Sequence, residues 1–106
     1  MIKKIVIGSE VFSGSWGIKF NSRKIRSILS YAYEQGINEI DTAPVYGNKD
    51  HEVEKKIGNI LKKENLRFLI NTKFSVDKSF IKNKKKLCNS LNYQLENSLK
   101  SLKRER

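Results

Sequence analysis

The chain has 106 residues, with 22 lysines and arginines against 11 acidic residues, a formal net charge of +11; one domain spanning 1–106 and no second domain is the expectation for that length. Its single cysteine, Cys88, excludes an internal disulfide framework and leaves a zinc site without its usual ligands, so no metal is expected. Only Ile5-Val6-Ile7 separates the amino-terminal lysines from Gly8, too little for a secretory leader, and no apolar run approaches the roughly 18 residues of a membrane span. A cytoplasmic protein off the membrane is expected.

In chain order, Lys4-Ile5-Val6-Ile7-Gly8-Ser9 reads as a first strand. Asn21 or Ser22 then caps a helix whose apolar residues Ile25, Ile28, Leu29 and Ala32 fall on one face, and Gly36 ends it. Residues 36–41 read as a second strand. A second helix opens at about Asp50 with Glu52 and Glu54 early and Lys62 and Lys63 late, an order that suits the helix dipole. It is expected to bury Val53, Ile57, Ile60 and Leu61, with His51 exposed at its start. Residues 66–73 form a third strand, and Leu87, Leu91, Leu95, Leu99 and Leu102 mark a third helix, with Cys88 as a packed thiol on its apolar stripe. Alternation of strand and helix predicts an α/β fold with a parallel sheet.

Parallel neighbours lie roughly 4.8 Å apart, so residues at equivalent heights on one face can touch. Asp41 and Lys73 each close a strand, and steps of two place Glu39 below the first and Asn71 below the second. Glu39, if buried, needs a partner such as Asn71 or a lysine. Tyr46 follows in the loop after Asp41. A phenol donates poorly at neutral pH unless a nearby cation favours its anion; Lys73 can supply the cation and Asp41 can hold it, leaving Tyr46 as a general acid toward a carbonyl oxygen.

Asp41-Thr42-Ala43-Pro44-Val45-Tyr46-Gly47 after the second strand and Thr72-Lys73 after the third resemble the signature of the aldo-keto reductases. The resemblance implies a (β/α)8 barrel and reduction of an aldehyde or ketone, a small-molecule carbonyl substrate, by NADPH or NADH. Its catalytic roles would fall on Asp41, Tyr46 and Lys73. Gly8-Ser9 resembles the family's first-strand turn, which with Asp41 implies contact with the cofactor. Gly14-Ser15-Trp16-Gly17 resembles a following aromatic-glycine element, which makes Trp16 a substrate-wall candidate; a rival register would set Gly14-Ser15-Trp16 on the first-strand turn instead. The family's fourth catalytic residue, a histidine after a fourth strand, has no counterpart here, and His51 is not its equivalent. No Gly-x-Gly-x-x-Gly occurs, which argues against a Rossmann site but not against this family.

A (β/α)8 barrel needs about 250 residues and at least roughly 200. The expectation is therefore an incomplete TIM barrel: its first three βα units, parallel, with an open sheet. A chain of this kind is expected to be inactive alone and to bind NADP(H) or NAD(H) weakly or not at all. Two alternatives stay open. One is half of a split reductase completed by a second chain. The other is a basic nucleic-acid-binding module built on Lys82, Lys84, Lys85, Lys86, Lys100, Lys103, Arg104 and Arg106. Against the latter stand 17 lysines to 5 arginines, the weaker choice for phosphate recognition, and a basic run with no interleaved aromatics.

Overall fold

Three short strands lie side by side in chain order and run in one direction: β1 (Ile7–Gly8), β2 (Glu39–Asp41) and β3 (Leu69–Asn71). The computed structural model describes residues 4–106. Helices α1 (Ser22–Glu34) and α2 (Glu52–Glu64) make the two crossovers, and α3 (Lys84–Leu102) follows β3. Ile7 pairs with Ile40 and Gly8 with Asp41; Glu39, Ile40 and Asp41 pair with Leu69, Ile70 and Asn71. The fold is α/β with a parallel sheet that is not closed: among the described residues β1 and β3 each have one strand neighbour.

All three strands are shorter than the sequence predicts, the second and third for a local reason. Ile37 N–H donates to the Ala32 carbonyl (2.9 Å) and Leu66 N–H to the Leu61 carbonyl (3.0 Å). The first residues of those runs thus satisfy orphan carbonyls of the preceding helix before they can join the ladder. In the first run, Ile5 and Val6 remain exposed outside β1.

Helix α1 begins where predicted, with Asn21 Oδ1 accepting from Lys24 N–H at 2.8 Å. Ile25, Leu29 and Ala32 are buried, whereas Ile28 is 38% exposed. At 100° per residue Ile28 lies about 60° from Ile25, on the far side from Leu29, and so falls at the rim of the face. In α2, Val53, Ile57, Ile60 and Leu61 are buried as expected. Together with Phe12, Ile25, Leu29, Ile40, Phe68 and Leu102 they form one core between sheet and helices. Phe12 enters it from a short 3-10 helix, Glu10–Ser13, with Phe20 edge-on at 5.6 Å.

The leucine stripe of α3 is corrected. Leu102 is buried but Leu95 is 54% exposed, and the other buried residues of this helix are Ser98 and Ser101. Residues four apart drift about 40° around a helix of 3.6 residues per turn, so a run from Leu87 to Leu99 winds off any single face. Small residues instead let α3 approach Gly58 of α2, where a Cβ would stand 2.6 Å from the Ser101 carbonyl oxygen. Cys88, expected to be packed, is exposed on the same helix. No helix among the described residues is long and apolar enough to cross a membrane.

Candidate active site

The carboxyl edge of the sheet gathers the polar residues that the strand pattern singled out. Beyond Asp41 the chain turns inward at Thr42 and Ala43, both buried. It then folds into a loop held by its own backbone: Tyr46 N–H donates to Ala43 (3.2 Å), His51 N–H to Pro44 (2.8 Å) and Val53 N–H to Tyr46 (3.3 Å). Gly47, at φ +108°, has no room for a side chain, because a Cβ there would collide with Glu52. Glu52 instead accepts from Asn48 N–H at 2.6 Å. That backbone bond, against a smaller opposing effect of burial, holds the Glu52 carboxyl below its ordinary pKa.

Lys73 reaches into this loop from the far side. Its Nζ donates to Asp41 Oδ2 (2.8 Å), to the Thr42 carbonyl (2.8 Å) and to Tyr46 Oη (3.3 Å), with the ring centroid of Tyr46 5.1 Å away. Burial alone would lower the pKa of Lys73; the hydrogen bonds to Asp41 and then Tyr46 more than offset it, and the ammonium is held above its ordinary value. The height relation differs from expectation. Asp41 pairs with Asn71, so Lys73 lies two residues beyond its level and folds back to reach it. One such step is about 6.6 Å along the strand, within reach of a four-carbon stem. The Asp41 and Lys73 side chains are 41% and 49% exposed, so the cluster opens to solvent.

Glu39 has found both kinds of partner its position demanded. Asn71 Nδ2 donates to it at 2.7 Å and Lys4 Nζ lies 2.6 Å away. Lys4 and, next, Asn71 hold its carboxyl below the ordinary range. Ser9 is fully buried, donates its N–H to the Asp41 carbonyl at 2.9 Å, and its Oγ has no hydrogen-bond partner among the described residues. Gly8 ends β1 beside Asp41, and the space where its Cβ would stand is open. Trp16 stands apart in the turn after the 3-10 helix, 69% exposed. A groove of about 940 Å³ runs from Tyr46 and Lys73 past His51 and Phe74 to Tyr93 and Lys103, and Trp16 does not line it.

One group was missed from sequence. Glu54, read as an early helix acid, is completely buried. Its Oε1 lies 2.6 Å from His51 Nδ1 and accepts from Ser98 Oγ (3.3 Å), while Oε2 accepts from Thr72 Oγ1 (3.1 Å). His51, expected to be exposed, is therefore tucked in, in the left-handed region at φ +59°. The signal was available: Glu54 stands three, four and seven residues before Ile57, Gly58 and Leu61, on the same apolar face.

Comparison with known proteins bears on the family and the fold. The model of the aldo/keto reductase family matches residues 4–106. A solved structure of a Pseudomonas aeruginosa protein described as a candidate aldo-keto reductase superposes with a TM-score of 0.74 at 26% identity. The match covers 99% of this chain and 40% of that one, so the chain spans well under two thirds of that protein's length. No curated protein matches significantly.

Proposed function

Since the chain belongs to the aldo/keto reductase family, we propose that it carries the proton-donating side of an NAD(P)H-dependent carbonyl reduction, with an aldehyde or ketone as substrate. The observation that carries this reading is the contact of one ammonium with a carboxylate and a phenol at the carboxyl edge of the sheet. Tyr46 Oη donates its proton to the carbonyl oxygen as negative charge develops there. The phenolate left behind faces Lys73 Nζ, whose positive charge stabilises it. Asp41 and the Thr42 carbonyl keep Nζ charged and aimed.

A bound nicotinamide cofactor, NADP(H) or NAD(H), would supply the hydride. The strand ends fit its amide-bearing end: Ser9 Oγ is a buried polar atom in need of a partner, and Gly8 leaves open space beside Asp41. Gly8, Ser9 and Asp41 are thus read as cofactor contacts; Trp16, which stands apart from the groove, is kept as a substrate-wall candidate on the resemblance of Gly14-Ser15-Trp16-Gly17 alone. Residues 1–106 are read as one partial reductase domain of a cytoplasmic protein. The outer edges of β1 and β3, unpaired among the described residues, support completion of the barrel by further strands, from the same polypeptide or a second chain.

The test is a chimera in which residues 4–106 replace the matching part of the Pseudomonas aeruginosa protein. It should oxidise NADPH in the presence of 4-nitrobenzaldehyde, while the 106-residue chain alone should not. Tyr46→Phe should lower the chimera's kcat by about 10²- to 10⁴-fold, the usual contribution of a general acid. Full turnover without the phenol would sink the assignment.

A further inference from the structure

We infer that Glu54 is the positioning residue that ties the Lys73 arm of the site to the Tyr46 arm. The inference rests on the reading of Lys73 and Tyr46 as a working pair, and its evidence lies elsewhere, under the site. The two oxygens of Glu54 serve different segments. Oε2 holds Thr72, the residue from which the chain passes directly into Lys73. Oε1 holds His51, whose backbone N–H in turn fastens the Pro44 carbonyl two residues before Tyr46. Ser98 of α3 donates to the same Oε1 and anchors the group to the outer helix layer.

The location gives this network its force. A carboxyl group with no solvent exposure is tolerated only with its hydrogen-bonding capacity filled, and each missing partner strands a buried polar atom. Glu54 therefore fixes Thr72 and His51 relative to each other. Lys73 has half its side chain in solvent and a stem of four rotatable carbons, so its own contacts do not define where its backbone stands. A residue at this point of α2 is the shared footing from which a 2.8 Å bond to Asp41 and a 3.3 Å bond to Tyr46 can be held at once.

The experiment reads the ammonium rather than turnover. In the ¹⁵N-lysine-labelled 106-residue chain, Lys73 Nζ, assigned by its loss in Lys73→Met, should show ammonium protons that exchange more slowly than those of the exposed lysines. It should also show a nuclear Overhauser contact with the Tyr46 ring. Thr72→Val removes the Oγ1 bond at nearly constant volume, and Glu54→Gln leaves one fewer acceptor for His51, Ser98 and Thr72. Both should return the Lys73 ammonium to the exchange rate of the exposed lysines and weaken the Tyr46 contact, while amide spectra stay dispersed. Where Glu54→Gln fails to fold, Thr72→Val decides alone. An unchanged Lys73 signal in Thr72→Val, whatever its melting temperature, overturns the inference and leaves Glu54 a structural residue. Failure of the chimera to reduce aldehydes would instead overturn the proposed function and leave this result untouched.

Discussion

Gly58→Ala tests the helix contact on which the buried end of the site depends. A Cβ at Gly58 would stand 2.6 Å from the Ser101 carbonyl oxygen and 2.7 Å from both C and Cα of Leu102. Non-bonded heavy atoms of this kind rest at about 3.5–4.0 Å. All three obstacles are backbone, so no rotamer change relieves them, and α3 must retreat by roughly 1 Å. The Ser98–Glu54 bond, already 3.3 Å, would then pass out of range. Overpacking costs about 1–3 kcal/mol and the lost bond about 1 kcal/mol. Alanine's advantage over glycine within a helix returns about 1 kcal/mol. The net is a loss of roughly 2 kcal/mol, equivalent to about 10 °C in melting temperature for a chain of this size. Circular dichroism at 222 nm measures it, with Asn59→Ala, an exposed neighbour in the same helix, expected to shift stability by no more than about 0.5 kcal/mol. A Gly58→Ala melting temperature equal to or above the parent's would refute the close approach of α2 and α3.

Two pH effects follow from the site. The pKa of Lys73 is raised on folding, so its contribution is fully present below the ordinary lysine value of about 10.4 and disappears as pH rises through the folded-state value. Urea midpoints above about pH 10 should fall less steeply in Lys73→Met than in the parent, by a small margin because the side chain is half exposed. Glu52 is depressed, so its contribution is present above about pH 4.3 and is lost as pH falls through its folded-state value. Glu52→Gln should flatten the acid limb of the stability profile below about pH 4.3; an unchanged limb would mean that the Asn48 bond does not form in solution.

What the sequence made legible was whatever a strand or helix period fixes locally. Alternation placed Glu39 with Asp41 on one side of β2 and Asn71 with Lys73 on one side of β3, and parallel pairing puts all four on the same face of the sheet: Asn71 meets Glu39, and Lys73 meets Asp41. The side-chain contacts survived a height relation that was wrong by two residues, because lysine is long enough to absorb the error. The Asn21 cap and the buried arc of α2 were equally readable, since each depends on neighbours within a turn. The misreadings share the opposite character. Cys88, Ile28 and Leu95 carry apolar side chains at or near a helical apolar face, yet whether a rim position is covered depends on how closely the neighbouring element approaches. For α3 the approach to α2 is set by Gly58, Ser98 and Ser101, whose small side chains carry little signal in a hydrophobic pattern.

Glu54 shows why a break in pattern can say more than its fulfilment. An acid on the apolar face of an amphipathic helix opposes burial and is expected to be selected against unless the folded chain supplies partners. Here the partners come from three separate segments: the loop after β2, the turn after β3, and α3. Two of those segments lead directly to Tyr46 and Lys73. His51 stands three residues before Glu54, within reach of spacing, whereas Thr72 and Ser98 lie 18 and 44 residues away and could not be assigned to Glu54 in that way. The exposed constellation of Asp41, Tyr46 and Lys73 is therefore recognisable from a short motif. The footing that holds its geometry becomes visible only once the helices have closed over the one carboxyl group that the apolar face should not contain.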